Sequence, residues 1–169
     1  LGMSEEAEAA WQRGVEIVRE DGLKEPVDIL AHGSLALHLI RNGREARSLI
    51  DEGLALDDDH YTLILADARQ RAIDGEFEAS VAALDRLIEV GNAGSPHQAL
   101  AYNTAMFGRW ALQLLGESLF ELGRYAEAAE AFTEAIEQGG PVTELRTKAT
   151  LCRSLAGLPA AARSGDELL

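Results

Sequence analysis

Leu112-Gln113-Leu114-Leu115-Gly116-Glu117-Ser118-Leu119-Phe120-Glu121-Leu122-Gly123-Arg124-Tyr125-Ala126-Glu127-Ala128-Ala129-Glu130-Ala131-Phe132-Thr133-Glu134-Ala135-Ile136 is the stretch on which the fold turns. Ala, Leu and Glu dominate it, all strong helix formers, and no period-two run of Val, Ile and Thr interrupts them. Gly123 divides it. One helix ends near Leu122, and another runs from Tyr125 to Gln138, where Gly139-Gly140-Pro141 stops it. Helix, glycine turn and helix is the unit to look for on either side.

Towards the N-terminus the same alternation continues. Ser4 is a candidate N-cap for a helix to about Glu20, in which Trp11, Val15 and Val18 make an apolar stripe, and Asp21-Gly22 closes it. A second helix spans about Val27 to Arg41, with Ile29, Leu30, Leu37 and Ile40 apolar, and ends at Asn42-Gly43. A third runs from about Arg44 to Leu56. The acidic run Asp57-Asp58-Asp59 suits the positive end of a fourth helix, His60 to Ile73, which Asp74-Gly75 stops. A fifth covers Phe77 to Val90. Gly91-Asn92-Ala93-Gly94-Ser95 is the clearest break in the chain, and Ser95-Pro96 restarts a helical pattern that lasts to Leu122 with a bend predicted near Gly108. A last helix runs from about Val142 to Leu155. Pro26, Pro96, Pro141 and Pro159 all stand where a helix begins or breaks.

The turn glycines Gly43, Gly75, Gly123 and Gly157 lie 32, 48 and 34 residues apart. Two spacings are close to one another, and the longer one is matched by the added segment around 91–108. That is the periodicity of a helix–turn–helix repeat. The stretch at 112–136 resembles the tetratricopeptide repeat family: Leu115-Gly116 is similar to its Leu-Gly pair, Gly123 and Tyr125 to its turn, and Ala128, Phe132 and Ala135 to its small–large–small series. Small residues suit those places because the two helices cross closely there. Leu112 stands where the family often has Trp, and Gly140-Pro141 shifts the closing proline by one. Leu35, Ala36, Leu39, Gly43, Ala46, Ile50 and Gly53 resemble a unit with a shorter turn. Ala68, Gly75, Phe77, Leu84 and Leu87 resemble another, with Arg71 and Ser80 replacing an aromatic and an Ala. Ala149, Gly157 and Ala162 suggest a partial last unit.

The resemblance implies an all-α, right-handed superhelix (an alpha-alpha solenoid) of about three helix pairs plus flanking helices. Its expected units are 27–60, 61–94, 109–141 and a partial 142–162, with an extra helix at 95–108, all within one domain at 3–162. Leu1-Gly2 ahead of Met3 reads as a remnant outside it.

Composition narrows the function. The chain has 169 residues, with 15 Lys and Arg against 29 Asp and Glu, a net charge of −14. Nucleic acid and anionic membrane surfaces are disfavoured partners, since both need clustered positive charge. At 47% hydrophobic the chain is far too apolar for a solvated tail. Cys152 is the single cysteine and reads as a small core residue, so no intramolecular disulfide can form. Residues 1–6 show no signal-peptide pattern, and no run approaches the roughly 20 apolar residues of a membrane span. A cytoplasmic protein is the expectation.

No catalytic constellation is present, and neither an enzyme, a cofactor nor a metal is expected. His60 beside Asp57-Asp58-Asp59 lacks metal-loop spacing, because consecutive carboxylates diverge. His32 and His38 are six apart and do not share a helix face, and His97 sits in the first turn after Pro96. Gly91 to Gly94 follows no strand and lacks the Lys of a phosphate loop. Binding to protein or peptide is what the resemblance implies, in a concave groove lined by Trp110, Gln113, Glu117, Phe120 and Glu121, with Leu37, Ile40, Arg41, Leu65, Arg69 and Ile73 at comparable places in the earlier pairs. Gln113 and Glu117 stand where the carboxylate-clamp members of the family have Lys and Asn. The mixture of Trp, Phe, Leu and Ile with Glu in this groove suggests an amphipathic helix or a basic-apolar (basic-amphipathic) segment as the ligand. Two alternatives stand beside it: residues 91–108 fill the groove, or the chain is a homodimer whose groove is self-occupied and which regulates a transcription factor or an enzyme.

Overall fold

The structure, a computed structural model, describes residues 2–24, 28–92 and 106–158. Those residues form eight α-helices and no strand: α1 (Gly2–Asp21), α2 (Leu30–Arg41), α3 (Arg47–Leu56), α4 (Tyr61–Ile73), α5 (Phe77–Asn92), α6 (Arg109–Glu121), α7 (Tyr125–Glu137) and α8 (Val142–Leu155). None of them is long and apolar enough to cross a membrane.

Five helices end in the same way. Gly43, Gly75, Gly123, Gly139 and Gly157 all have positive φ, between 67° and 82°. At each, the glycine N–H and the N–H after it bond back into the last turn; at Gly123 the acceptors are the Phe120 and Leu119 carbonyls, both at 2.9 Å. This left-handed closure satisfies carbonyls that would otherwise be orphaned, and glycine adopts it without a Cβ penalty.

Several boundaries depart from the sequence reading. The first helix already runs from Gly2, so Ser4 lies inside its first turn rather than at its cap. The second starts at Leu30 after a turn at Asp28-Ile29, and residues 25–27 lie outside the described ones. The third starts at Arg47, with Ala46 as its N-cap, after the Arg44 N–H has closed the turn at Gly43. His60, not the acidic run, is the N-cap of α4, and it makes no side-chain capping bond. Asp57 instead accepts from the Asp59 N–H at 3.3 Å, and Asp58 and Asp59 pair with Arg86 of α5. Gly108 does not bend a continuous helix; with φ −105° and ψ −111° it is the residue from which α6 begins. The extra helix expected at 95–108, with Ser95, Pro96 and His97, falls almost wholly outside the described residues, as do Pro26 and 159–162.

Consecutive helices pack on one another along the chain. In addition, α2 packs on α4 and α4 touches α6, so the first helices of successive pairs stand side by side. The apolar interior is correspondingly divided into three clusters. Val15, Leu35, Ile40 and Ile50 lie in the first, Tyr61, Ile64, Leu84, Leu87 and Phe107 in the second, and Leu112, Leu119, Phe132, Leu145 and Cys152 in the third. A stack in which each helix pair buries its face on its neighbours is the architecture of a helical repeat. One close approach is between α6 and α7. A Cβ at Gly116 would stand 2.7 Å from the Phe132 ring, and Ala128 and Ala135 are fully buried beside it. Ser80 has its own reason to replace Ala: fully buried, it donates to the Ala68 carbonyl at 2.9 Å and shares a 3.1 Å hydrogen bond with Ser118, tying α5 to α4 and α6.

Candidate functional site

The side-by-side arrangement of α2, α4 and α6 leaves a cleft of about 760 Å³ between them. That volume is in the range of sites that accept small ligands or a few side chains of a peptide. Its apolar walls include Ile73 of α4, Phe77 at the start of α5, and Trp110 and Leu114 of α6. Ile73 is 65% exposed, an unusual position for a large aliphatic side chain. Trp110 and Phe77 are half-buried. Trp110 is held on one side by the Arg109 guanidinium, 5.9 Å from the ring centre, while Arg109 donates to the Gly139 carbonyl at 2.9 Å.

The charged groups of the cleft differ in how they are compensated. Glu117 accepts from Lys148 of α8 at 2.7 Å and from Gln113 at 3.2 Å. Lys148 also pairs with Glu144 at 2.9 Å; burial pulls its pKa down, but these two bonds outweigh it and hold the ammonium above its usual range. On the opposite wall, Arg41 and Arg69 have no ion pair or hydrogen bond among the described residues. Arg69 is half-buried, and burial pushes its pKa below the usual arginine range; Glu117 pulls it back up, and the Arg41 charge adds to the lowering.

Of the residues named from sequence, Arg41, Arg69, Trp110, Gln113, Glu117 and Glu121 line this cleft together, with Ile40 and Ile73. Leu65, Leu37 and Phe120 do not. Leu65 is 1% exposed in the middle cluster, where α4 faces α5 and α6. Leu37 packs between the first and second clusters. Phe120 turns onto Tyr125, with ring centres 5.4 Å apart, and closes the α6–α7 corner. Helical spacing puts these three near the right face, but small rotations decide whether a side chain looks into the cleft or under it. The cleft also uses Ala72, Phe77, Leu114 and Ser118, which the sequence reading did not place there. Phe77 had a signal, standing four residues after Ile73 across the Gly75 turn. Residues 91–92 and 106–108, the described ends of the inserted segment, are not part of the lining; Phe107 stacks on Tyr61 at 5.0 Å in the middle cluster.

The described histidines, His32, His38 and His60, are elements of packing. His32 is fully buried, and neither ring nitrogen has a hydrogen-bond partner; its Nε2 lies 3.5 Å from Glu52, whose carboxylate is clamped by Arg19 at 2.6 and 2.7 Å. Burial keeps its pKa below the ordinary histidine value. His38 bonds Glu8 at 3.0 Å and joins α1 to α2, and His60 shares a 2.8 Å hydrogen bond with Thr62. No group of three or more His, Cys, Asp or Glu among the described residues could hold a metal ion. Cys152 is buried and its thiol is pushed up by that burial, which suppresses the thiolate.

Comparison with known proteins places one family on the chain: residues 110–139 match the tetratricopeptide repeat. No curated protein and no solved structure matches the chain.

Proposed function

We propose, from the match of residues 110–139 to the tetratricopeptide repeat, that the chain is a non-enzymatic interaction module holding a peptide or helix of a partner protein in the cleft between α2, α4 and α6. The observation that carries this reading is the exposed apolar wall of that cleft. Ile73, Phe77 and Trp110 lie together beside charged groups on the face made by the first helices of successive pairs. Aromatic and aliphatic anchors in a concave site supply most of the affinity of such contacts. A cytoplasmic setting accompanies the proposal, since the lone Cys152 needs no oxidising compartment.

Affinity capture from lysate on the full chain, compared with I73D and W110A, tests it. Partners should be lost from both variants and kept by L151A, whose substitution lies on α8 away from the cleft. An unchanged partner set in both cleft variants overturns the reading.

A second reading is favoured by α8. Leu151 and Leu155 are 50% and 49% exposed on this last described helix, beside a shallow hollow lined by Thr147 and Thr150. A homodimer joined through that face is the competing function, and sedimentation equilibrium separates the two. A dimer that L151D dissociates while partner capture persists assigns α8 to self-association and leaves the cleft to the ligand.

A further inference from the structure

We infer that the segment bound in the cleft carries an aspartate or glutamate side chain next to an apolar anchor, with the carboxylate seated between Arg41 and Arg69. This rests on the reading of the cleft as the binding site and adds the chemistry of its occupant.

The distribution of ion pairs is the starting point. Acidic residues outnumber basic ones nearly two to one in this chain, so partners for arginine are plentiful. The helix stack uses them. Arg19 binds Glu52, Arg44 binds Glu8, Arg47 binds Asp67 and Asp74, Arg71 binds Asp67 and Glu76, and Arg86 binds Asp59. Carboxylates raise the pKa of Arg19, Arg47 and Arg86, although burial opposes them in each. Arg69 goes the other way. It is half-buried in the cleft with no ion pair or hydrogen bond among the described residues, only the more distant pull of Glu117, and it shares the cleft with exposed Arg41, which likewise has no such pair among them. A cation partly withdrawn from water with little compensating charge is held less favourably than a paired one.

The acids nearby do not relieve it. Glu117, across the cleft, is already held by Lys148 and Gln113. An incoming carboxylate does relieve it, because a guanidinium binds one through two parallel N–H bonds, and such bonds are strongest where water is partly excluded. Ile73 lies one helical turn beyond Arg69, and Trp110 faces it from α6. An apolar side chain adjacent to the acid in the ligand therefore has a surface to meet. A phosphate dianion suits the site less, since Glu117 and Glu121 line the same cleft and the whole chain carries −14. The long-range field of this protein is negative, which is why sequence alone pointed to a basic ligand. Contact selectivity, however, follows the local charges, and at this wall they are positive.

The test selects a displayed library of short random peptides on the full chain and on R69Q, then measures affinities of synthetic hits with amidated C-termini. Wild type should enrich Asp or Glu beside an apolar residue. Changing that acid to its amide should weaken binding about tenfold or more, and this dependence should vanish in R69Q and shrink in R41Q. Hits rich in Lys or Arg that are lost in I73D overturn the inference while keeping the cleft as a site. Hits indifferent to both I73D and W110A overturn the cleft itself. A phosphoserine in place of the acid that binds more tightly, or binding that disappears on amidation, also overturns the assignment. Folding provides an independent readout: because Arg69 has no ion pair or hydrogen bond among the described residues to lose, R69M should melt at the same temperature as wild type or higher, and a marked drop contradicts the unpaired state.

Discussion

Gly116 shows how a single atom is specified by the repeat. Any Cβ there meets the Phe132 ring at 2.7 Å, inside the close α6–α7 crossing, and the ring is itself packed among buried Ala128 and Ala135. G116A should destabilise the protein by about 1–3 kcal/mol through overpacking, and F132L in the same chain should recover part of that loss. Chemical denaturation of the three variants checks it; an unchanged midpoint for G116A refutes the packing argument. His32 makes a different kind of demand. Its ring is buried neutral, with Glu52 at 3.5 Å and the Arg19 charge behind that carboxylate. Since its folded pKa lies below the usual 6.5, the unfolded chain takes up the proton first as pH falls. Stability contributed by neutral His32 is therefore full above about pH 6.5 and declines below it, by on the order of 1 kcal/mol per pH unit until the folded ring protonates too. Glu52, held low by Arg19, stays ionised through this window. Melting temperature measured from pH 7.5 to 5.5 should fall more steeply in wild type than in H32Q, and parallel slopes would remove His32 from the account.

At the scale of elements, the turn decides more than the helix does. Five helices close on a left-handed glycine with two backbone bonds, and at Gly123 nothing lies within 4 Å of the place a Cβ would take. The penalty of G123A is then purely conformational, about 1–2 kcal/mol, with G123N costing less. Equal effects of the two substitutions on the unfolding midpoint would show that the strain is steric instead. These glycines, spaced by the repeat, made the helix count and the helix ends legible in the sequence. Helix starts were less so. Ser4 lies inside the first turn of α1, and α4 begins at a buried His60 rather than at the acidic run, of which Asp58 and Asp59 are drawn to Arg86 on α5. A cap motif is a local statement, and a cation from another helix can outbid it.

At the scale of the molecule, the described residues bury their apolar side chains in three neighbouring clusters, and each element depends mainly on its neighbours. Stability in such a stack propagates from one interface to the next. Leu145, fully buried where α8 covers α7, offers a local probe. L145A should cost about 2–5 kcal/mol, and hydrogen exchange followed by mass spectrometry should show α7 and α8 opening while α1 and α2 keep most of their protection. Uniform loss of protection would argue for one cooperative core.

The candidate site divides along the same line. Trp110, Gln113, Glu117 and Glu121 were legible because they follow from register within one well-marked repeat, and all four line the cleft. Leu37, Leu65 and Phe120 lie outside the cleft lining, because helical spacing specifies a face only to within a side chain's width and packing took these three inward. Sequence by itself determined the all-helical class, the glycine-closed pairs and the repeat at 110–139, since these depend on propensity, turn geometry and spacing along the chain. Only the tertiary structure decided that Arg41 and Arg69 share a wall without an anion while Glu117 is already satisfied from α8. Compensation of charge is a property of distance in space, between residues far apart in the chain, and no local pattern encodes it.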